Sequence, residues 1–238
     1  MSQTIHGVSF VQKGEGKDLL LLHGYLSNKE SFAAQTAYFS KFYRVTALDF
    51  IGFGQSAPLP SAFSVADYAT WLADVMQELN VVCPHVIAHS FGCRVAVKLA
   101  SQNNQTFEKM ILTGPAGVIL NRGLSYSLKV WTYRLVKKVA PAFAKRHFGS
   151  KEYRALSPIM QESYKKIVNE DLRKCARQVC NEVLILQGIA DTVTTEKEAK
   201  AYLQAFPNAT LQYVEGGHFS FAEHPIEFCL RAEEFLYA

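Results

Sequence analysis

The 238-residue sequence predicts an α/β fold: a mostly parallel, doubly wound sheet with a small helical cap inserted between two of its strands. Three observations lead there. Short, continuous apolar runs, each closed by turn chemistry, alternate with stretches of helical periodicity. Such runs read as strands buried on both faces, and their alternation with helices implies a parallel sheet. One long stretch, 118–178, breaks the alternation and holds no convincing strand. The composition, 49% apolar and 19% charged with mean hydropathy of zero, is that of a globular chain long enough to bury a sizeable core. It excludes collagen-like, low-complexity and disordered classes.

In chain order, Asp18–Leu22 is the first strand and ends at His23-Gly24; residues 28–41 fit a helix. Tyr43–Leu48 is a strand running into Asp49. Ser64–Leu79 is the clearest helix: Val65, Tyr68, Leu72, Val75 and Leu79 share one face, and Ser64 with Asp67 forms a capping-box pattern. His85–Ala88 is a strand leading into His89-Ser90, with a helix over 91–103. Lys109–Leu112 is a strand ending at Thr113-Gly114-Pro115. Beyond the insertion come a strand at Glu182–Leu186, a helix over 194–205, a strand at Ala209–Val214 and a helix over 222–236. The core is thus 1–117 with 179–238. The cap is 118–178, with helices at 124–144 and 159–174 punctuated by Pro141 and Pro158. Gly114, Gly117, Gly123 and Gly149 are candidate hinges for it.

Charge is uneven. The whole chain carries +4, but the cap has fourteen Lys and Arg against four Asp and Glu, a net +10, which leaves −6 for the rest. Within it, Lys129, Arg134, Lys137, Lys138, Lys145 and Arg146 alternate with Val130, Trp131, Tyr133, Leu135 and Val136. An amphipathic helix with its lysines in solvent accounts for the pattern; attraction of an anionic substrate and contact with a membrane surface are the alternatives. Tyr126, Trp131, Tyr133, Phe143 and Phe148 are candidate apolar walls for a pocket. No nucleic-acid partner and no stable membrane insertion are expected, since no apolar run approaches the roughly 20 residues of a span. The five cysteines, Cys83, Cys93, Cys175, Cys180 and Cys229, form no Cys-x-x-Cys pair, so neither a metal site nor a disulfide framework is expected. With no signal-peptide pattern at Met1–His6, a reducing, cytoplasmic setting is the simplest expectation.

The chemistry centres on Ala88-His89-Ser90-Phe91-Gly92, between a strand and a helix. A serine on so sharp a turn is held in a strained conformation with its hydroxyl exposed above the sheet, and small residues are needed two before and two after it. Ala88 stands where glycine is usual. A serine hydroxyl needs a base, and the base an orienting acid. Sites in open α/β sheets form at the carboxyl ends of strands. Asp191 follows the 182–186 strand and His218 follows the 209–214 strand through Gly216-Gly217. The chain order is serine, aspartate, histidine.

With these features the chain resembles the α/β-hydrolase fold over essentially its whole length. The matching positions are His23-Gly24, the run Asp49-Phe-Ile-Gly52-Phe-Gly54-Gln-Ser56, the Ser90 turn, Asp191 and Gly217-His218-Phe219. The resemblance implies a triad of Ser90, Asp191 and His218, and a cap where 118–178 falls. Asp49 precedes the nucleophile on a strand the family does not use for the acid, and is expected to be structural. Thr113–Gly117, the alternative acid position one strand earlier, holds no acidic residue, which strengthens the expectation for Asp191. For the oxyanion, the backbone N–H of Phe91 and that of Tyr25, after Gly24, are the expected donors. His23 is expected to be a structural hydrogen-bonder, His89 a packing residue, His224 a surface or capping residue and Cys93 a core thiol.

Gly52-Phe-Gly54-Gln-Ser-Ala57 matches a dinucleotide fingerprint, but Pro58-Leu59-Pro60 follows and prevents the helix such a site requires. No cofactor is expected. The sequence therefore points to a cofactor-independent serine hydrolase of small or medium apolar carboxylic esters. Carbon–carbon bond hydrolysis of dienoic ring-cleavage products, transfer to an acceptor such as peroxide, and a non-catalytic ligand receptor on the same fold are the alternatives. The small-molecule substrate and the oligomeric state are not fixed by the sequence.

Overall fold

A computed structural model describes residues 2–120 and 151–238. Eight strands form one sheet: β1 (Gln3–Ile5), β2 (Val8–Lys13), β3 (Asp18–Leu22), β4 (Arg44–Leu48), β5 (His85–His89), β6 (Lys109–Thr113), β7 (Glu182–Gly188) and β8 (Ala209–Val214). Their order across the sheet is β1-β2-β4-β3-β5-β6-β7-β8. From β4 to β8 every neighbouring pair is parallel, while β1–β2 and β2–β4 are antiparallel. Leu22 pairs with Leu48 and with Ala88, and His89 pairs with Thr113, so β3 to β6 end level. Their following loops leave the same edge of the sheet.

The apolar runs of β3 to β7 are continuous because successive side chains point to opposite faces and both faces are covered. Leu20, Leu22, Val86, Ala88, Met110 and Leu112 enter one core with α2 (Val65–Glu78) and α3 (Phe91–Gln102). Leu19, Leu21, Ile87, Ile111, Leu184 and Leu186 enter a second core on the other face, with α1 (Ala33–Phe39) and a carboxyl-terminal helix. The capping box that opens α2 is formed: Asp67 N–H donates to Ser64 Oγ at 3.3 Å, and Ser64 N–H to Asp67 Oδ2 at 2.7 Å.

Between β6 and β7 in chain order lie α4 (Lys151–Ala155), α5 (Pro158–Val168) and α6 (Arg173–Ala176). Ser163 of α5 donates to Phe63 O at 2.7 Å, and the Arg94 guanidinium donates to Ile167 O and Glu170 O at 2.9 and 2.8 Å. Beyond β7 come α7 (Glu196–Ala205), α8 (Ser220–Glu223) and α9 (Pro225–Tyr237).

The structure departs from expectation in five places. β8, expected to be buried on both faces, is an edge strand that is half-buried or exposed except at Val214. β1 and β2 lack the continuous apolar run of the other strands and carry no sequence signal of that kind. The 28–41 helix is a 3₁₀ turn at Lys29–Phe32 followed by α1. The 159–174 helix stops at Val168, and α6 follows separately. The 222–236 helix divides at His224 (φ −128°, ψ 61°), because the residue before a proline is disfavoured in helical geometry. His224 itself is exposed and makes no side-chain cap. The 124–144 helix, with its basic and aromatic residues, and the glycines at 123 and 149 lie outside the described residues. All five cysteines are free. Among the described residues no helix is long and apolar enough to cross a membrane.

Candidate active site

β5 delivers Ser90 at the level edge of the sheet, where α3 begins. Ser90 adopts φ 50°, ψ −105°, a region that costs a non-glycine residue about 1–3 kcal/mol. The turn is clamped from both sides: Ser90 N–H donates to Thr113 O on β6, and Cys93 N–H donates to Ser90 O, each at 3.1 Å. A Cβ at Gly92 would be driven into the carbonyl oxygen of Leu22 on β3, so only glycine fits there. Ala88 is fully buried, its methyl group part of the core, which is how the turn accommodates its extra carbon.

The loops after β7 and β8 bring Asp191 and His218 to the same point. His218 Nε2 lies 3.1 Å from Ser90 Oγ, and His218 Nδ1 lies 2.9 Å from Asp191 Oδ2. The Asp191 side chain is fully buried. Burial alone would raise its pKa, but hydrogen bonds outweigh that effect: His218 Nδ1–H, Thr194 Oγ1–H at 2.8 Å on the same oxygen, and Thr194 N–H at 3.0 Å on Oδ1 hold it down at about 2. Val193 N–H adds a bond to Oδ1 at 2.8 Å. An ionised Asp191 accepts a hydrogen bond from Nδ1–H and so keeps the proton on Nδ1, which leaves the Nε2 lone pair facing the serine hydroxyl. That is the arrangement a serine nucleophile needs.

Phe91 is the first residue of α3, where a helix leaves its N–H groups without an intrahelical partner. Tyr25 follows Gly24 in the loop after β3, and both residues border the cavity that holds Ser90 and His218. The cavity has a volume of about 420 Å³. Its wall is apolar and aromatic: Val118, Leu156 and Ile167, with the Tyr164 ring tilted against Tyr25 at 5.2 Å and Tyr153 at 5.5 Å. The Tyr25 hydroxyl donates to Met160 O on α5 at 3.3 Å, and burial raises its pKa. The side chain thus both lines the pocket and packs on the inserted helices.

The remaining candidates are elsewhere or otherwise engaged. Asp49 is fully buried and takes Lys29 Nζ at 2.8 Å, Lys29 N–H at 2.7 Å and Gln55 N–H at 2.8 Å, so it organises the 49–56 turn. His23 donates from Nδ1 to Gly24 O at 2.7 Å and accepts Phe50 N–H on Nε2 at 3.0 Å; burial lowers its pKa to about 4. Cys93 is buried and its thiol pKa is raised by burial. Among the described residues no group of three or more His, Cys, Asp or Glu is placed to hold a metal. Sequence reasoning missed Thr194. Its signal was present: a residue three after an aspartate in a turn is well placed to donate back to it. It also missed the bond from His89 Nε2 to His218 O.

Comparison with known proteins agrees with the architecture. Residues 18–173 match the model of the alpha/beta hydrolase fold. An uncharacterised protein of Mycobacterium tuberculosis is 25% identical, over 98% of this chain and 80% of its own length. The 2-hydroxymuconate semialdehyde hydrolase of Pseudomonas putida is 26% identical, over 94% of this chain and 88% of its own. The structure of an esterase from Exiguobacterium antarcticum superposes with a TM-score of 0.78 at 19% identity, covering 97% of this chain and 96% of that one. The chain belongs to the alpha/beta hydrolase fold family.

Proposed function

We propose that this protein is a cofactor-independent serine hydrolase that cleaves carboxylic esters of small or medium apolar substrates through an acyl-enzyme. The observation that carries the reading is the continuous hydrogen-bonded chain from Ser90 Oγ through His218 to a buried, ionised Asp191. Ser90 Oγ attacks the ester carbonyl while His218 Nε2 takes its proton. The tetrahedral oxyanion is held by the Tyr25 and Phe91 N–H groups, each worth about 3–4 kcal/mol in such a role. His218 returns the proton to the leaving alcohol. Water then attacks the acyl-enzyme by the same route and frees Ser90. Asp191 keeps the imidazole in the required tautomer and stabilises its cationic form. In this reading residues 118–178 form a cap, of which Leu156, Tyr164 and Ile167 line the cavity beside the acyl group. The partner is a small molecule, and the protein works in the cytoplasm without inserting into a membrane.

A series of p-nitrophenyl esters from acetate to palmitate tests this, with Ser90→Ala alongside. Turnover of short or medium chains that vanishes in the variant supports the reading. Undiminished turnover by Ser90→Ala in a clean preparation sinks it. Carbon–carbon hydrolysis is the second reading, favoured by the similarity to 2-hydroxymuconate semialdehyde hydrolase along most of both chains. It expects turnover of dienoic ring-cleavage products and poor turnover of simple esters.

A further inference from the structure

His89 was expected to do no more than pack beside the nucleophile, and its surroundings assign it a further task. The ring is 1% exposed and sits against His218, Phe221 and Phe219 with centroids 4.7, 4.8 and 5.0 Å away. Its Nε2 lies 2.9 Å from the backbone oxygen of His218. A carbonyl only accepts, so Nε2 carries the proton, and burial keeps the ring neutral with a pKa of about 3. Nδ1 is then a lone pair. It is fully buried, has no hydrogen-bond partner among the described residues, and points at Gly24: a Cβ there would lie 2.7 Å from it. The ring therefore fills the space between the loop carrying Tyr25 and the loop carrying His218. The base loop is braced on the other side as well, since Gly217 N–H donates to Glu223 Oε2 at 2.6 Å. The Gly217 carbonyl accepts Ser220 N–H at 3.2 Å, and the His218 carbonyl is held by His89.

We propose that His89 is a positioning residue: its Nε2–H anchors the His218 carbonyl, and its ring, wedged against Gly24, sets the spacing between the base and the oxyanion loop. The inference rests on the serine hydrolase reading for its kinetic consequence, and on geometry alone for its structural one. The role belongs to the N–H donor and not merely to ring volume. His89→Leu keeps the bulk and removes the donor; His89→Gln keeps a donor on a flexible chain.

The test compares both variants with the wild type in kcat, KM and amide hydrogen exchange over Gly216–Ser220. Because misplacing a reacting group by about 1 Å costs about 100-fold, His89→Leu is expected to lose about that factor in kcat with KM little changed. His89→Gln should recover at least a tenth of wild-type kcat. Exchange over the base loop should quicken about tenfold or more in His89→Leu and return towards wild type in His89→Gln. If His89→Leu does not fold, His89→Met takes its place. Equal kcat and equal exchange in the two variants would overturn the proposal. Exchange is read without turnover, so an inactive wild type would defeat the hydrolase reading while leaving this inference to stand or fall on the loop.

Discussion

Thr194→Val is the sharpest probe of how the site is held. The substitution keeps the shape of the side chain and the backbone N–H, and removes one hydroxyl. Asp191 receives four donors: Thr194 Oγ1–H at 2.8 Å and His218 Nδ1–H at 2.9 Å on Oδ2, and the N–H groups of Val193 at 2.8 Å and Thr194 at 3.0 Å on Oδ1. The fall of its pKa from 3.8 to about 2 corresponds to about 2.5 kcal/mol in favour of the folded, ionised state. One hydrogen bond to a buried charge is worth about 1.5–3 kcal/mol, so valine should erase most of that depression. A carboxyl whose folded pKa is depressed contributes stability that is complete above its unfolded pKa and disappears as pH falls through the folded one. The gap between wild type and variant should therefore be full at pH 7 and close between about pH 4 and 2. For a chain of this length it amounts to a Tm lower by about 3–12 °C at pH 7. Thermal unfolding across pH 7 to 2.5 is the assay. No Tm change at pH 7, or a gap that persists unchanged at pH 2.5, would refute this account of the site.

Three further outcomes follow from the same geometry. Gly92→Ala pushes a methyl group into a β3 carbonyl and should cost about 3 kcal/mol or more in urea unfolding, or abolish soluble expression. Lys29→Met leaves Asp49 as an unpaired buried carboxylate and should cost about 3–5 kcal/mol by the same measurement, because the two side chains are 1% and 0% exposed. Asp191→Asn should fold and yet lower kcat on esters about 10⁴-fold, by favouring the wrong imidazole tautomer; a loss below tenfold would remove Asp191 from the mechanism.

What could be read from the sequence follows burial. The strands from β3 to β7 are covered on both faces, so each appears as a mainly apolar run, with buried Thr46 the polar residue inside β4. The turn at Ser90 showed itself through the small residues crowded around it. β1 and β2 were not legible. β1 is largely exposed, and buried Ser9 interrupts the apolar pattern of β2; its hydroxyl is part of a polar contact set with Ser2 and Gln55. β2 takes its place by antiparallel pairing to β4, a long-range choice that local periodicity does not encode, and β1 then pairs with β2. The break at His224 was legible in Pro225 and was overridden by the apolar periodicity running through it. Ser90, Asp191 and His218 were found as residues following strand ends. Thr194 and His89 escaped because their parts are played through hydrogen bonds to Asp191 and to the His218 backbone. The bonds of Thr194 are local, three residues from Asp191 in the loop after β7, and were legible in that spacing; the bond of His89 exists only once the loops after β5 and β8 have met.

The central claim is that Ser90 is an activated nucleophile. Its most direct test is exposure of the wild-type protein to a fluorophosphonate, followed by mass spectrometric mapping of the adduct, with Ser90→Ala as control. The account predicts one stoichiometric adduct, on the peptide containing Ser90, with loss of ester turnover in proportion to labelling. A protein that stays unlabelled while folded, or one labelled equally in Ser90→Ala, would contradict it.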